Sequence, residues 1–477
     1  MSRTFLSQQE IEAASAQYGT PLYLYSLNKI DRQYAQLKEH LPQNFRIHYA
    51  LKANSNLTIC HRLAQLGAAA DVSSLGELSA ALKTGFSPEL ILFTGPGKTN
   101  PELAAALEAG ISTIVLESVN EAHRLNNLAR QNGKKQKVLL RINPLYRTSE
   151  SCEISQKSNV GAKHLGDNSS VKPKLYNPNA LPSDSLKTDP SRKSNNQNGS
   201  ASRVTIQTIA TTASKFGVDE AQAEEAIATI SSLSHLNLQG IHIFTESNVL
   251  DYQQLLAAWQ NTIAIANRLN EQGYPLSQID FGGSIGIPYN AVDDEFAMES
   301  FGWELQQVFQ NNPYPYNCMV EIGRYLVGEA GCYVTEIVDI KESQGKRFII
   351  LDGGVHQLFR LSMKKASKYM EVLGKNGSRT QQATLTGKLP TPLDIMVEDV
   401  EIPEDIAIGD RLVIYNCGAY GFNHSLTNFN LHQYPAEIAY SNGEKRLIRE
   451  PGNIEDFFLN QTLPFVENSK ELAIFCR

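Results

Sequence analysis

Two kinds of hydrophobic pattern alternate along the first two thirds of this chain. Short, almost continuously apolar runs are typical of strands covered on both faces, and longer segments with apolar residues at three- and four-residue spacing are typical of amphipathic helices. The predicted strands are 45–52, 69–73, 90–94, 113–117, 137–143, 238–244, 278–281 and 318–321. The predicted helices are 57–66, 75–83, 101–108, 120–131, 219–233, 252–270 and 296–310. This repetition predicts an α/β fold, a closed (β/α)8 TIM barrel, and disfavours an open doubly wound sheet.

Beyond residue 331 the pattern changes to short β-rich segments separated by turn sequences, which predicts an all-β domain. Its predicted strands are 332–340, 347–352, 383–389, 395–402, 412–415 and 435–440. The expected organisation has three parts. Residues 1–29 pair with the C-terminal β domain through a strand at 21–25, residues 30–325 form the barrel, and residues 326–477 form the β domain.

One stretch, at about 146–203, fits neither domain because it is rich in Ser, Asn, Lys and Pro and has almost no apolar periodicity. Such a segment buries too little apolar surface to offset the entropy of ordering it. We therefore predict a mostly disordered insertion in the barrel. We expect it to have no chemical role, with a lid or a partner-docking segment as the alternative.

Composition narrows the class of protein. A net charge of −7 over 477 residues argues against nucleic acid or an anionic membrane surface as the main partner. No apolar run is long enough to cross a bilayer, and the first residues lack a signal-peptide core. The six cysteines are scattered, so we expect reduced thiols and a cytoplasmic protein.

Polar residues and glycine turns follow most of the predicted barrel strands. Active sites of such barrels lie at the carboxyl ends of the strands, so these groups should meet on one rim. They are Lys52, Asp71, Glu117, Arg141, Asn143, His242, Phe244, Glu321 and Arg324, with glycine turns at 95–97 and 282–284. A barrel with a purely structural role would not need this set, and we predict an enzyme.

Three of these features have a chemical and a structural interpretation. Lys52 could be an imine-forming nucleophile with a lowered pKa in a dry site, or a lysine that extends from the rim into solvent. The turn at 282–284 could bind a phosphate through its N–H groups, or be an ordinary turn. Glu321 and Arg324 could hold a cofactor ring and its phosphate, or form a salt bridge.

The motifs, taken in order, resemble those of the pyridoxal-phosphate-dependent decarboxylases of the alanine-racemase fold type, the group of the diaminopimelate, ornithine and arginine decarboxylases. The resemblance covers nearly the whole chain apart from the insertion. The matching blocks are YALKAN at 49–54, DVSSLGEL at 71–78, GPGK at 95–98, RINP at 141–144, KFG at 215–217, GIH at 240–242, DFGG at 280–283, EIGR at 321–324, DGG at 352–354 and GAYG at 418–421.

The resemblance implies pyridoxal 5'-phosphate as the cofactor, no metal, and a role for each matching residue. Lys52 would carry the cofactor as an internal aldimine, and Glu321 would keep the ring nitrogen protonated. Phe244 would stack on the ring, with His242 beside it. The residues expected around the phosphate are Gly283, Ser284, Ser247 and Arg324, with Tyr420 from the second domain. Asp71 and Gly323 complete the expected cofactor site.

The implied reaction is decarboxylation of an amino acid or an amino-acid derivative, in a homodimer whose subunits share their active sites. The alternatives are a racemase of the same fold, against which Glu321 counts, and a cofactor-binding protein with impaired catalysis. The last alternative rests on Pro390, which stands where the family has a proton-donating cysteine. His424 is our expected catalytic donor, although Lys52, Cys417 or water could act instead.

The remaining departures concern the phosphate site and the substrate. Ser284 and Ile322 replace a glycine and a proline of the family pattern, and Glu246 replaces a glycine near the phosphate. Arg360 is the nearest candidate for binding a substrate carboxylate. The block 417–437 is closer to the branch that acts on carrier-protein-bound amino acids and siderophore precursors than to diaminopimelate decarboxylases. We therefore expect a small-molecule or carrier-bound amino-acid substrate other than diaminopimelate.

Overall fold

The computed structural model describes residues 6–144, 214–290, 292–363, 369–375 and 379–462. The insertion predicted at 146–203 lies outside these residues, so its predicted disorder stays a prediction.

Two helices and one strand precede the barrel: α1 (Gln8–Tyr18), β1 (Leu22–Ser26) and α2 (Leu27–His40). The Ser7 side chain caps α1 by accepting from the Glu10 N–H, and the Glu10 side chain accepts from the Ser7 N–H in return. Both helices are absent from the sequence prediction. In α1 only Ile11, Ala14 and Ser15 are buried, and so narrow a buried face leaves a weak periodic signal.

Eight parallel strands close into a barrel, which confirms the predicted fold. Each strand pairs with the next, and the last pairs with the first. The strands are β2 (Phe45–Ala50), β3 (Ala69–Val72), β4 (Ile91–Phe93), β5 (Thr113–Leu116), β6 (Gln136–Asn143), the short β7 (Val218–Asp219) that extends β6, β8 (Leu236–His242), β9 (Gln278–Asp280) and β10 (Asn317–Ile322).

Within the described residues, seven helices connect the barrel strands, and their apolar faces are buried. Side-chain caps start several of them; Ser74, Thr99, Ser118 and Asp251 each accept from a backbone N–H of the first turn. The helices are α3 (Leu57–Gln65), α4 (Leu75–Lys83), α5 (Asn100–Ala109), α6 (Val119–Gln131), α7 (Ala223–Ser231), α8 (Tyr252–Glu271) and α9 (Met298–Gln310).

The barrel interior is layered. Four buried residues from four strands, Leu92, Val115, Leu139 and Met319, form an apolar cluster separate from the main core. The next inward positions toward the carboxyl ends of the strands are polar and buried, among them Asp71, Arg141, His242, Asp280 and Glu321. The apolar layer therefore supports a polar layer at the end of the barrel where active sites form.

A second, mostly antiparallel sheet follows the short helix α10 (Arg324–Val327) and encloses another, α11 (Phe359–Ser362). Its strands are β11 (Gly331–Ser343), β12 (Lys346–Leu351), β13 (Met370–Val372), β14 (Thr380–Thr386), β15 (Ile395–Pro403), β16 (Arg411–Ile414), β17 (Ala436–Ser441) and β18 (Glu444–Arg449). The N-terminal strand β1 lies inside this sheet, antiparallel to β11 and parallel to β17. The sequence prediction missed β13, which is three residues long, and β18, a charged edge strand.

Acid should destabilise the fold through two buried histidines. Burial lowers the pKa of His48 from 6.5 to about 4 and that of His356 to about 3. Each contributes stability above pH 6.5, where the unfolded chain is also neutral, and this stability is lost as the pH falls toward the folded-state pKa. The loss approaches about 1.4 kcal/mol per pH unit for each histidine. We expect His356→Leu to reduce the fall in urea midpoint between pH 7 and pH 5. The exposed His123→Asn is the control, and equal falls in all three proteins would contradict the assignment.

Candidate active site

Lys52 lies just after β2, in a single turn of 3-10 helix, Leu51–Ala53. Its neighbours Leu51 and Ala53 are buried, whereas the Lys52 side chain is 45% exposed. The β domain holds this turn from outside: Asn423 Nδ2 donates to the Lys52 carbonyl over 2.8 Å, and the Tyr420 N–H donates to the Ala53 carbonyl over 2.7 Å. The backbone of the lysine is therefore fixed by contacts between the two domains, and its amine remains accessible.

Asp71 of β3 is the acidic partner of this lysine. Lys52 Nζ lies 3.5 Å from Asp71 Oδ2, while Thr94 Oγ1 donates to Asp71 Oδ1 over 2.6 Å. Burial and the charge of Glu321 raise the pKa of Asp71 to about 7, although Lys52 opposes them. For Lys52, burial alone would lower the pKa, but the carboxylates of Asp71 and Glu321 outweigh it and the pKa is raised. The two acids therefore oppose the lowered lysine pKa that the sequence offered as one alternative, and a strand end does not reveal such neighbours.

Glu321 of β10 lies opposite, with His242 beside it. His242 Nε2 is 3.3 Å from Glu321 Oε1, and both side chains are almost completely buried. Burial would raise the pKa of Glu321, but the imidazole reverses this and lowers it to about 2. Asp280 of β9 is fully buried, and its Oδ2 has no hydrogen-bond partner within the described parts of the chain.

Arg141 and Glu117, which the sequence placed on the rim separately, form a buried pair with Arg141 Nη1 3.0 Å from Glu117 Oε1. Glu117 Oε2 also accepts from the Gly217 N–H over 2.7 Å, and the Arg141 guanidinium lies 4.3 Å from the centre of the Phe216 ring. The pair therefore anchors the chain at 216–217 beside the barrel mouth. Charges of opposite sign on neighbouring predicted strands could have suggested it.

The glycine turn after β9 packs against Glu321. A Cβ at Gly283 would overlap the Glu321 carbonyl oxygen, and one at Gly282 would lie 2.6 Å from the Phe244 ring. Gly282 has a φ of +62°, which favours glycine. Ser284 is fully buried, and its Oγ has no hydrogen-bond partner among the residues described. The turn thus brings backbone and hydroxyl donors close to the Glu321 side of the mouth.

These elements line a cavity at the carboxyl end of the barrel. Eight of the predicted site residues line it: Lys52, Phe244, Ser247, Gly283, Glu321, Gly323, Arg324 and Tyr420. The structure brings Asp71, His242 and Ser284 next to this group but not into the lining. His424 and Arg360 also stand outside it, on the β-domain side.

Arg324 and Arg360 flank Tyr420. The guanidinium carbon of each lies 4.8 Å from the centre of the Tyr420 ring. Arg324 Nη1 also donates to the Tyr289 hydroxyl over 2.6 Å, a contact that the sequence analysis missed because no motif marks Tyr289. Burial, and then the charge of Arg324, lower the pKa of Arg360. Two cations beside an open cavity provide a site for anionic groups.

The candidate proton donors differ in access. Cys417 is buried, its thiol donates to the Ile414 carbonyl over 3.3 Å, and burial raises its pKa. His424 is exposed, and its ring centre lies 6.4 Å from that of Tyr420. Pro390 is exposed on a loop that Asp394 holds by accepting from the Leu389 N–H over 2.8 Å. Of Cys417 and His424, only His424 presents its side chain at the surface near the mouth, where the accessible Lys52 also lies.

A buried ion pair supports the GPGK turn after β4. Lys98 Nζ lies 2.7 Å from Glu121 Oε1, and both side chains are at most 3% exposed. Lys98→Met should destabilise the protein by about 3–5 kcal/mol in urea unfolding, because it leaves Glu121 buried without its cation. Adding Glu121→Gln should recover part of the loss. Arg446→Met, in the exposed pair with Glu444, should change stability by less than about 1 kcal/mol. A loss at Lys98 as small as that at Arg446 would contradict this view.

The fold and the site together define a barrel enzyme with an accessible lysine at its mouth, a buried carboxylate across from it and a cationic, glycine-lined edge. The sequence model of the family described as "Pyridoxal-dependent decarboxylase, pyridoxal binding domain" matches residues 27–167 and 195–328, more than half of the chain. The chain belongs to this family.

Curated relatives match almost end to end. The L-glutamyl-(BtrI acyl-carrier protein) decarboxylase of Niallia circulans is 29% identical over 469 residues, covering 96% of this chain and 97% of that protein. The diaminopimelate decarboxylase of Aquifex aeolicus is 29% identical over 451 residues, covering 94% of each. Among solved structures, diaminopimelate decarboxylase from Helicobacter pylori complexed with L-lysine superposes with a TM-score of 0.75 and 27% identity, covering 94% of this chain and 98% of that chain.

These similarities confirm an enzyme of the pyridoxal-phosphate-dependent decarboxylase class and confirm the predicted cofactor. They support the decarboxylase over the racemase alternative. The site fits the cofactor, since the cavity is lined by an accessible amine and by the buried Glu321 carboxylate, whose Oε1 has no hydrogen-bond partner in the described ranges, and the Ser284 hydroxyl lies beside it in a glycine turn. Among the described helices, none is long and apolar enough to cross a membrane.

Proposed function

We propose that the decarboxylation takes place in the cavity between Lys52, Glu321 and Arg324, on an amino acid or amino-acid derivative. The observation that carries this proposal is that the amine, the carboxylate and the guanidinium, which come from different parts of the chain, line one cavity. When bound, pyridoxal 5'-phosphate supplies an aldehyde for an amine and a ring that accepts the electrons left when carbon dioxide departs.

In this proposal Lys52 Nζ is the amine that holds the cofactor. Because its pKa is raised, Nζ must lose a proton before it can act as a nucleophile. Asp71 Oδ2, 3.5 Å away and with a pKa of about 7, is placed to take that proton and to return it. Thr94 keeps Asp71 in position through its hydrogen bond to Oδ1.

Glu321 would hold the ring nitrogen in its protonated form, and Phe244 would cover one face of the ring. Phe244 packs over Gly282, which is possible because that position has no side chain. His242 stands behind Glu321 at 3.3 Å.

The glycine turn and Arg324 would hold the phosphate of the cofactor. Backbone N–H groups of Gly283 and Gly323 and the hydroxyls of Ser284 and Ser247 are the proposed donors, with the charge of Arg324 beside them. The Tyr420 hydroxyl completes this set from the β domain. Tyr289 orients Arg324 through its hydroxyl.

The proton that replaces the departing carboxyl group cannot come from Pro390. We assign this transfer to His424, which is exposed near Tyr420, whereas the Cys417 thiol points into the core. Arg360 is the proposed partner of an anionic substrate group, since it flanks Tyr420 opposite the phosphate-binding Arg324. These assignments keep catalysis possible without the cysteine of the family.

For the substrate, we favour an amino acid bound to a carrier protein over free diaminopimelate. The block 417–437 supports this choice, and one relative is an L-glutamyl-(BtrI acyl-carrier protein) decarboxylase. A glutamyl group joined to the carrier by a thioester of its side-chain carboxyl group keeps a free α-carboxylate for removal. It has no second carboxylate, which suits a single arginine at position 360.

The test is carbon dioxide release by the purified holoenzyme from free diaminopimelate, ornithine, arginine, lysine and glutamate, and from thioesters that join the side-chain carboxyl group of glutamate to pantetheine or to a carrier protein and leave the α-carboxylate free. Release from the thioesters and not from free diaminopimelate is the expected result. Release from free diaminopimelate at a comparable rate would overturn the substrate proposal. Loss of optical rotation without gas would identify the racemase alternative.

We also propose that the enzyme is a cytoplasmic homodimer with shared sites, and that its domains are 1–29 with 326–477, and 30–325. Exposed apolar side chains beside the Pro390 loop support association: Leu393 is 74% exposed and Met363 39%. Light scattering after size-exclusion chromatography should give twice the chain mass of 52.8 kDa. A monomer that is fully active at the same concentration would contradict shared sites.

A further inference from the structure

A buried group of three ionisable side chains lies behind the cavity, and the proposed cofactor contacts do not use all of it. His242 ends β8, Asp280 ends β9 in register with it, and Glu321 is on the neighbouring β10. One ring nitrogen of His242 and one oxygen each of Asp280 and Glu321 lie within 4.8 Å of one another. Asp280 is fully buried, and one of its oxygens is used by the Gly282 N–H at 2.9 Å.

Two other cations of this polar layer each have an acidic partner outside the group. Arg141 is paired with Glu117 at 3.0 Å, and Lys52 lies 3.5 Å from Asp71. Within the described residues, His242 is then the cation whose ring lies within 4.8 Å of both Asp280 and Glu321, while the charges of Lys52 and Arg141 also lower the pKa of Glu321. The other titratable groups that face the group are His48 on β2, which burial keeps neutral with a pKa of about 4, and the Cys318 thiol, whose pKa is raised by burial.

Two carboxyl groups that share one buried imidazole cannot both ionise cheaply. Burial raises the pKa of both. At Glu321 the imidazole more than reverses this, whereas at Asp280 the Glu321 charge adds to burial and the pKa reaches about 8. Burial lowers the pKa of His242, but Glu321 and Asp280 outweigh it, so the pKa is raised. The imidazolium and one carboxylate balance, and the second carboxyl group holds a proton.

A protonated pyridine nitrogen at Glu321 would change this balance by adding one positive charge. Two carboxylates, one imidazolium and one pyridinium sum to zero, so Asp280 can release its proton when the ring is protonated. We propose that Asp280, acting through His242, is a positioning residue that supplies the second negative charge and so holds the proton on the cofactor ring. This inference rests on the proposed function, because it requires the ring nitrogen to face Glu321.

The test measures the protonation of the ring directly. The holoenzyme is reconstituted with pyridoxal 5'-phosphate labelled with nitrogen-15 in the ring, and its nitrogen-15 NMR shift is followed against pH for wild type and three variants. Asp280→Asn keeps the acceptor for the Gly282 N–H but removes the charge. We expect it to lower the pH at which the ring loses its proton by about one to two units. His242→Gln removes a positive charge, so it should raise the pH at which the ring loses its proton.

The two substitutions are expected to shift the ring titration in opposite directions, which separates an electrostatic role of these side chains from a structural one. A side chain that merely fills the barrel would lower the thermal midpoint when replaced and leave the ring nitrogen unchanged. An unchanged titration in Asp280→Asn would overturn the proposal, as would a downward shift in His242→Gln. If one variant does not fold, the sign of the other still decides.

Glu321→Gln distinguishes failure of this inference from failure of the proposed function. It should shift the ring titration downward by at least as much as Asp280→Asn. If Glu321→Gln leaves the ring nitrogen unchanged, the ring does not face Glu321 and the proposed function is wrong. If Glu321→Gln shifts it and Asp280→Asn does not, only the inference fails. Elemental analysis of the holoenzyme adds a further check, since a stoichiometric metal ion joining the three groups would also overturn it.

Discussion

Lys52→Ala is expected to remove covalent attachment of the cofactor and to lower decarboxylation by about 10⁴-fold or more, the scale on which loss of a catalytic nucleophile acts. The reason is the position of Lys52. Its side chain lines the cavity, and its backbone lies in a barrel turn that the β domain holds in place. The measurements are the yellow absorbance of the purified protein with added cofactor, and mass spectrometry after borohydride treatment. Wild type should carry a reduced pyridoxyl label on Lys52, and the variant should carry none.

Two controls sharpen this result. Lys83→Ala removes an exposed lysine from α4 and should leave both readouts unchanged. Lys52→Arg keeps the cation next to Asp71 but offers no amine, so it should retain the fold and lose the label. Borohydride labelling of Lys52→Ala at the wild-type level would place the attachment elsewhere and refute the assignment of the site.

Glu321→Gln should be the second most damaging substitution, with kcat reduced by about 10²–10³-fold while the cofactor remains attached. The side chain keeps its shape but loses the negative charge that lies 3.3 Å from His242 and favours a proton on the ring. A neutral ring accepts electrons poorly, so the loss should fall on kcat rather than on KM. Steady-state kinetics with carbon dioxide detection makes the measurement.

Its control is Glu444→Gln, which replaces a surface carboxylate that is 69% exposed and should leave kcat unchanged. Glu321→Asp, which keeps the charge but withdraws it from the cavity, should lie between wild type and Glu321→Gln. A kcat for Glu321→Gln within about twofold of wild type would mean that this carboxylate does not act on the reacting ring.

The barrel was predictable because strands buried on both faces produce continuous apolar runs, and all eight predicted barrel strands overlap those observed. Two of the missed elements have weak patterns, since α1 buries one narrow face and β18 is a charged edge strand. The helix α2 was missed although its buried residues Ile30, Tyr34 and Leu37 follow helical spacing. A sequence shows which groups stand at strand ends but not how their charges add across the barrel. This is why the effect of Asp71 and Glu321 on the Lys52 pKa and the positions of Asp280 and Tyr289 were not foreseen.

The position of β1 between β11 and β17 constrains how the chain reaches its native state. One of the first strands to leave the ribosome must wait for one of the last before its sheet can close. The barrel is synthesised between these strands and can form earlier. Its rim stays uncovered until the residues near 420 have been synthesised. Assembly of the catalytic mouth is therefore among the final events of folding, and chains whose synthesis stops early lack the contacts that hold the Lys52 turn.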